Sequence, residues 1–240
     1  MAKSRKWTDP NLPVWFDGTN INEAVFCDEF LSSHKIIYSN RAFFTPDGRV
    51  TDDLPLRGEI FERLKCCAVN NIPRKVSNIL EVMKLAAQVE DFSPQPDRIH
   101  LSNGTLMLDG SFIPGKPEIV RSRLPVAYNP DAPKPALWLS FLDGLLYPED
   151  IITLQEFIGY CLIPSNKGQR MMVIKGNGGE GKSQIGAVLS AIFGTNMKDG
   201  SIGKISENRF ARADLEHILL CVDDDMRMEA LRQTNYVKSI

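Results

Sequence analysis

No run of about 18 apolar residues, the length that a membrane-spanning helix requires, occurs in the 240-residue chain. The amino terminus "MAKSRKWTDP" is basic but has no apolar segment behind it, which excludes a secretory signal peptide. Charge of neither sign is in excess: 28 Lys and Arg face 30 Asp and Glu, a net charge of −2. A strongly basic nucleic-acid coat is therefore excluded, while a local basic groove is not. Cysteines are few and irregular. The five (Cys27, Cys66, Cys67, Cys161 and Cys221) show no repeated C-x-x-C spacing, which fits a reducing cytoplasm better than a disulfide framework. Cys66, Cys67 and one of the three histidines make a weak zinc candidate, because zinc sites usually show regular ligand spacing. Internal repeats and low-complexity tracts are also absent. The remainder is ordinary globular composition, 43% hydrophobic and 24% charged, and enough chain for one or two domains with a real core.

Residues 1–20 carry Pro10, Asn11, Pro13 and Gly18 and little periodicity, so they read as a leader or loop. From 21 to 124 the pattern is that of an α+β module. Val25, Phe26, Phe30 and Leu31 share a helical face over 22–34. The segment 35–50, broken at Ser39-Asn40 and at Pro46-Asp47-Gly48, predicts a small antiparallel meander. Helices follow over 56–69 (Ile60, Phe61, Leu64, Cys67, Ala68) and 75–90 (Val76, Ile79, Leu80, Met83, Ala87). Strands return over 99–114, where Asn103-Gly104 and Asp109-Gly110 are hairpin-turn dipeptides. Residues 125–135 are proline-rich and predict an extended linker. Residues 136–165 are helical, with Ile151, Ile152, Leu154, Phe157, Ile158 and Cys161 on an apolar face that Pro164 ends. An α/β core is expected over 166–240.

That core holds the chemistry. Gly176-Asn177-Gly178-Gly179-Glu180-Gly181-Lys182-Ser183 fits the phosphate-loop pattern G-x-x-x-x-G-K-[ST]. Glycines let successive backbone N–H groups turn inward around phosphate oxygens. Lys182 is the candidate for the β- and γ-phosphates of ATP, and the Ser183 hydroxyl for Mg²⁺. A helix starting here would aim its N–H groups and positive dipole end at the anion. Met171 to Ile174 predict a buried strand before the loop. Ile185, Val188, Leu189 and Ile192 predict a helix after it, with Gly194 as its C-cap. A bare Gly-rich turn would not require that order. A second motif, "HILLCVDDDM" at 217–226, runs five apolar residues into Asp223, Asp224 and Asp225. A buried strand delivering acids at its carboxyl end is where Mg²⁺ is held in such enzymes. Asp223 is assigned to the metal through water and Asp224 to polarising the attacking water, with a one-residue ambiguity of register. Only 41 positions separate Lys182 from Asp223.

Together these segments resemble the helicase part of phage and plasmid primase–helicases, which belong to helicase superfamily three and are AAA+ in type. The resemblance rests on "NGTLMLDG", "LPVAYNPDAPKP", "LQEFIGYCLIPSNKGQRMMVIKGNGGEGKS", "ENRFARADLEHILLCVDDD" and "NYVKSI". The region before residue 99 looks like the poxvirus-type module that accompanies these helicases. The resemblance implies an α/β fold: an N-terminal α+β module followed by a P-loop, AAA+-type parallel-sheet ATPase domain. It implies ATP and Mg²⁺ as ligands, single-stranded or forked DNA and other replication proteins as partners, a homo-hexameric ring, and the bacterial host cytoplasm as the compartment. It places the DNA-tracking hairpin, the sensor asparagine and the arginine finger after the point where this chain stops. The ATPase domain is accordingly expected to be incomplete, binding nucleotide with little turnover. Arg209 and Arg212 precede the acidic strand and read as surface or packing arginines. Residues 1–98 lack the paired carboxylates and histidine of a two-metal primase site, so primer synthesis is not expected. The alternative is a non-enzymatic DNA- or replisome-binding adaptor with a vestigial loop. A small P-loop kinase is disfavoured, since no lid-like segment follows the loop.

Overall fold

A computed structural model describes residues 12–68, 70–90, 92–224 and 226. Most of the expected leader, Asp225 and "NYVKSI" lie outside the described residues. The chain divides into two compact units, 1–92 and 93–240.

The first unit packs three helices with a small sheet. Helix α1 (Glu23–Ser33) starts at Asn22, whose side chain accepts from Val25 N at 3.2 Å, a common N-cap arrangement. Strands β1 (Ile37–Ser39), β2 (Ala42–Thr45) and β3 (Gly48–Arg49) form an antiparallel meander, with Tyr38 opposite Phe43 and Thr45 opposite Gly48. Its first turn is Asn40-Arg41, both with positive φ, as a two-residue hairpin turn requires. Helices α2 (Leu54–Leu64) and α3 (Ile72–Ala86) each carry a proline in the first turn, where no N–H is needed. Phe26, Phe30, Ile60, Leu64, Ile79 and Met83 are sealed in one core with Trp15, which meets Phe26 edge-on at 5.0 Å. The predicted faces are mostly the buried ones, with two corrections: α2 ends at Leu64, so Cys67 and Ala68 follow it rather than belong to it, and Phe61 is exposed, because α2 needs only every third or fourth residue inside.

The second unit begins with another antiparallel meander, β4 (Arg98–Leu101), β5 (Gly104–Met107) and β6 (Phe112–Pro114). Asp109-Gly110 turns the second hairpin as expected, with Gly110 at φ +89 and Asp109 Oδ1 accepting from Ser111 N at 2.8 Å. The first turn differs. Leu101 pairs with Gly104, so Ser102-Asn103 form the loop. Gly104 is required for another reason: a Cβ there would strike Ile113 O and the Phe112 ring.

The proline-rich stretch is docked at its start. Leu124 is buried and bridges to Leu101, Ser102 N donates to Val126 O at 2.9 Å, and Asn103 exchanges two hydrogen bonds with the Tyr128 backbone. Residues 124–128 thus form a strap along the first hairpin, because Asn103 offers the donor and acceptor that a missing strand would.

Helices α4 (Ala136–Leu145), α5 (Pro148–Cys161) and α6 (Lys182–Phe193) share a core with the strap: Leu101, Leu124, Leu142, Leu154, Ile185 and Phe193. On α5 Leu154 is the buried member of the predicted face and Ile152 is exposed. After α6 come a 3-10 turn (Gly194–Asn196), β7 (Met197–Asp199), α7 (Ile202–Glu207), α8 (Arg209–Ala213) and β8 (Leu220–Val222). β7 and β8 are parallel, with Lys198 opposite Cys221. Buried Asn196 fastens this region. Its Nδ2 donates to Arg123 O and Phe193 O at 2.8 and 2.9 Å, and its carbonyl accepts from Leu219 N at 2.8 Å.

The molecule is mixed α/β, but its sheets are small, and the wide parallel sheet expected over 166–240 is reduced to β7–β8 among the described residues. Met171 to Ile174 form no strand. Met171, Val173 and Ile174 stay 43, 45 and 36% exposed, whereas a parallel strand is stabilised by burial on both faces.

Candidate functional site

The glycine-rich loop leads into α6. Gly181 is the N-cap at φ +92 and Gly179 sits at φ +84, left-handed conformations that glycine adopts without penalty. No side chain caps the helix, and Gln184 N is taken by Gly181 O at 2.9 Å; an anion is favoured at such a helix start. A Cβ on Gly178 or Gly179 would meet nothing within 4 Å, while one on Gly181 would lie 3.4 Å from the Phe141 ring. Phe141 is stacked on Trp138 at 5.7 Å. This aromatic wall from α4 is a part of the site that sequence reasoning missed; its signal is two aromatics three residues apart on one helical face.

Within the loop, Lys182 Nζ donates to Asn177 O at 2.5 Å and to Glu180 Oε2 at 3.0 Å. The Glu180 carboxyl is held below its usual range, first by Lys182 and then by the Asn177 N–H. Gly176 packs beneath them: a Cβ there would meet the Glu180 carboxylate and lie 3.1 Å from Lys182 Nζ.

The acidic strand reaches the same place. Ser183 Oγ donates to Asp224, 3.3 Å from each carboxylate oxygen. Two residues 41 positions apart are thereby brought together. Asp223 points elsewhere: its Oδ2 accepts from Ile202 N at 2.8 Å, at the start of α7. Successive residues leaving a strand face opposite sides, so only one of the pair can meet Ser183. A hydroxyl beside a carboxylate is an oxygen donor set suited to Mg²⁺, and the uncapped helix, open glycines and Lys182 suit a polyphosphate.

Arg209 lies over the Phe210 ring at 5.0 Å, and Arg212 Nη1 donates to Ile205 O at 3.2 Å. Cys66 and Cys67 sit in the first unit with their sulfurs 3.0 Å apart, and among the described residues no three His, Cys, Asp or Glu side chains gather around a metal position. All five cysteines are free thiols. No helix among the described residues is long and apolar enough to cross a membrane.

Residues 174–240 match the family of unknown function DUF5906. The match takes in both the glycine-rich loop and the acidic strand and covers less than a third of the chain. No curated protein matches the sequence.

Proposed function

We propose that residues 93–240 carry the ATP–Mg²⁺ site of a DNA-unwinding motor of the phage and plasmid primase–helicase type, within a P-loop domain whose parallel sheet is of the AAA+ kind. The observation that supports this most is the contact between Ser183 and Asp224, which joins the phosphate loop to the end of the acidic strand. A glycine-rich turn alone would not need it.

In this reading, the N–H groups of 178–183 and the start of α6 bind the phosphates, and Lys182 turns from Asn177 O to the β- and γ-oxygens. Ser183 and Asp224 would hold Mg²⁺, which would neutralise phosphate charge and orient the transferring group. Asp223, whose Oδ2 is engaged at α7, positions the acidic turn, so the metal-side role passes to Asp224. Phe141 closes the loop from the α4 side. DNA, a homo-hexameric ring, other replication proteins and a host-cytoplasm setting belong to the same proposal.

The test is calorimetric binding of Mg-ATP to the chain, together with DNA-stimulated hydrolysis. Micromolar binding is expected, with binding lost in Lys182→Ala. Binding unchanged by Lys182→Ala would overturn the reading and favour an adaptor whose DNA affinity ignores ATP.

A further inference from the structure

We propose that Glu180 is an internal competitor for the phosphate seat, and so sets how tightly this loop holds a nucleotide; the inference rests on the phosphate-site reading above. Three observations carry it. First, Glu180 Oε2 lies 3.0 Å from Lys182 Nζ, the cation that a polyphosphate needs. Second, Lys182 Nζ is tied to the loop at the same time by Asn177 O, so the ammonium is committed on two sides. Third, the carboxylate packs over Gly176, so close that a Cβ there would collide with it. A carboxylate taking the loop ammonium over a bare glycine sits as a phosphate oxygen would. Both anions draw on Lys182, two of whose three N–H donors are already given to Asn177 O and Glu180. A nucleotide therefore gains the full ammonium by displacing Glu180, and the side chain, about two-fifths exposed, has solvent to move into.

The contact is between partly exposed groups, so its effect is modest: removing it should tighten binding roughly two- to fivefold, the range of exposed ion pairs. The experiment is calorimetric titration of the whole chain with Mg-ATP and with magnesium tripolyphosphate, which carries phosphates without base or sugar. Wild type is compared with Glu180→Gln, Glu180→Asp and Lys182→Ala. Tighter binding of both ligands by Glu180→Gln, and a partial gain in Glu180→Asp, support the proposal. The aspartate keeps the charge but is one methylene too short for the contact, so wild-type affinity in Glu180→Asp would trace the effect to general charge and overturn it. Unchanged or weaker binding in Glu180→Gln, with binding still lost in Lys182→Ala, overturns the competition and leaves the phosphate site standing. A gain for ATP alone also overturns it. Wild-type binding in Lys182→Ala removes the phosphate site and this inference with it.

Discussion

Asp223 and Asp224 are adjacent in the chain and part company in space. One accepts from the first N–H of α7, the other from the hydroxyl of Ser183. Their substitutions should therefore fail differently. Asp223→Ala removes a partly buried, charge-assisted hydrogen bond and should cost about 1–2 kcal/mol of stability, read as a shift of the urea midpoint. Asp224→Ala should leave that midpoint nearly unchanged and weaken Mg-ATP more than metal-free ATP, read by calorimetry. His100 supplies a pH effect. It is buried between Thr105 and Gln95, and its pKa is pushed down to about 4, first by burial and then by Arg123 and Arg98. Between its ordinary value of 6.5 and about 4 the unfolded chain takes up a proton that the folded chain refuses. Stability should thus fall as pH drops through that window, by an amount on the order of 3 kcal/mol from this group. His100→Gln should flatten that part of the pH profile, checked by urea unfolding at several pH values.

Helices were the legible elements. Phe26 and Phe30, Ile60 and Leu64, and Ile79 and Met83 recur at helical spacing and all are buried, because one buried face is enough to write a period into a sequence. Turns were legible in part. Asp109-Gly110 marks its hairpin by residue chemistry, whereas Asn103-Gly104 misplaces the first turn by one residue. Gly104 is glycine because Ile113 O and the Phe112 ring press on it, a tertiary contact with no local signal. Gly104→Ala should cost about 2–3 kcal/mol and loosen β6, seen as faster amide exchange in 112–114. The strap at 124–128 was illegible for a similar reason: its partner is Asn103, 25 positions from Tyr128. The glycine-rich loop was legible by its spacing, and the Ser183–Asp224 contact brings it beside the acidic segment. Which of Asp223 and Asp224 meets Ser183 depends on the direction in which each side chain leaves β8, which the sequence does not carry.

Two compact units, 1–92 and 93–240, with separate apolar cores, should unfold as two transitions rather than one. Each core holds a reporter: Trp15 against Phe26 in the first and Trp138 against Phe141 in the second. Mg-ATP at a hundredfold excess over its dissociation constant should stabilise only the second transition, by about 2.7 kcal/mol. Tryptophan fluorescence melts of wild type and Trp138→Phe would separate the two. A ligand shift in both transitions would mean that the units unfold together.

Asn196 also acts as a rivet. One side chain and its own carbonyl clamp Arg123 at the head of the strap, Phe193 at the end of α6, and Leu219 at the root of β8. The strap's head and the root of β8, the strand that precedes Asp224, are thus joined through one side chain and its backbone carbonyl. A shift of residues 124–128 would be passed toward the carboxylate beside Ser183 by the bonds of Asn196.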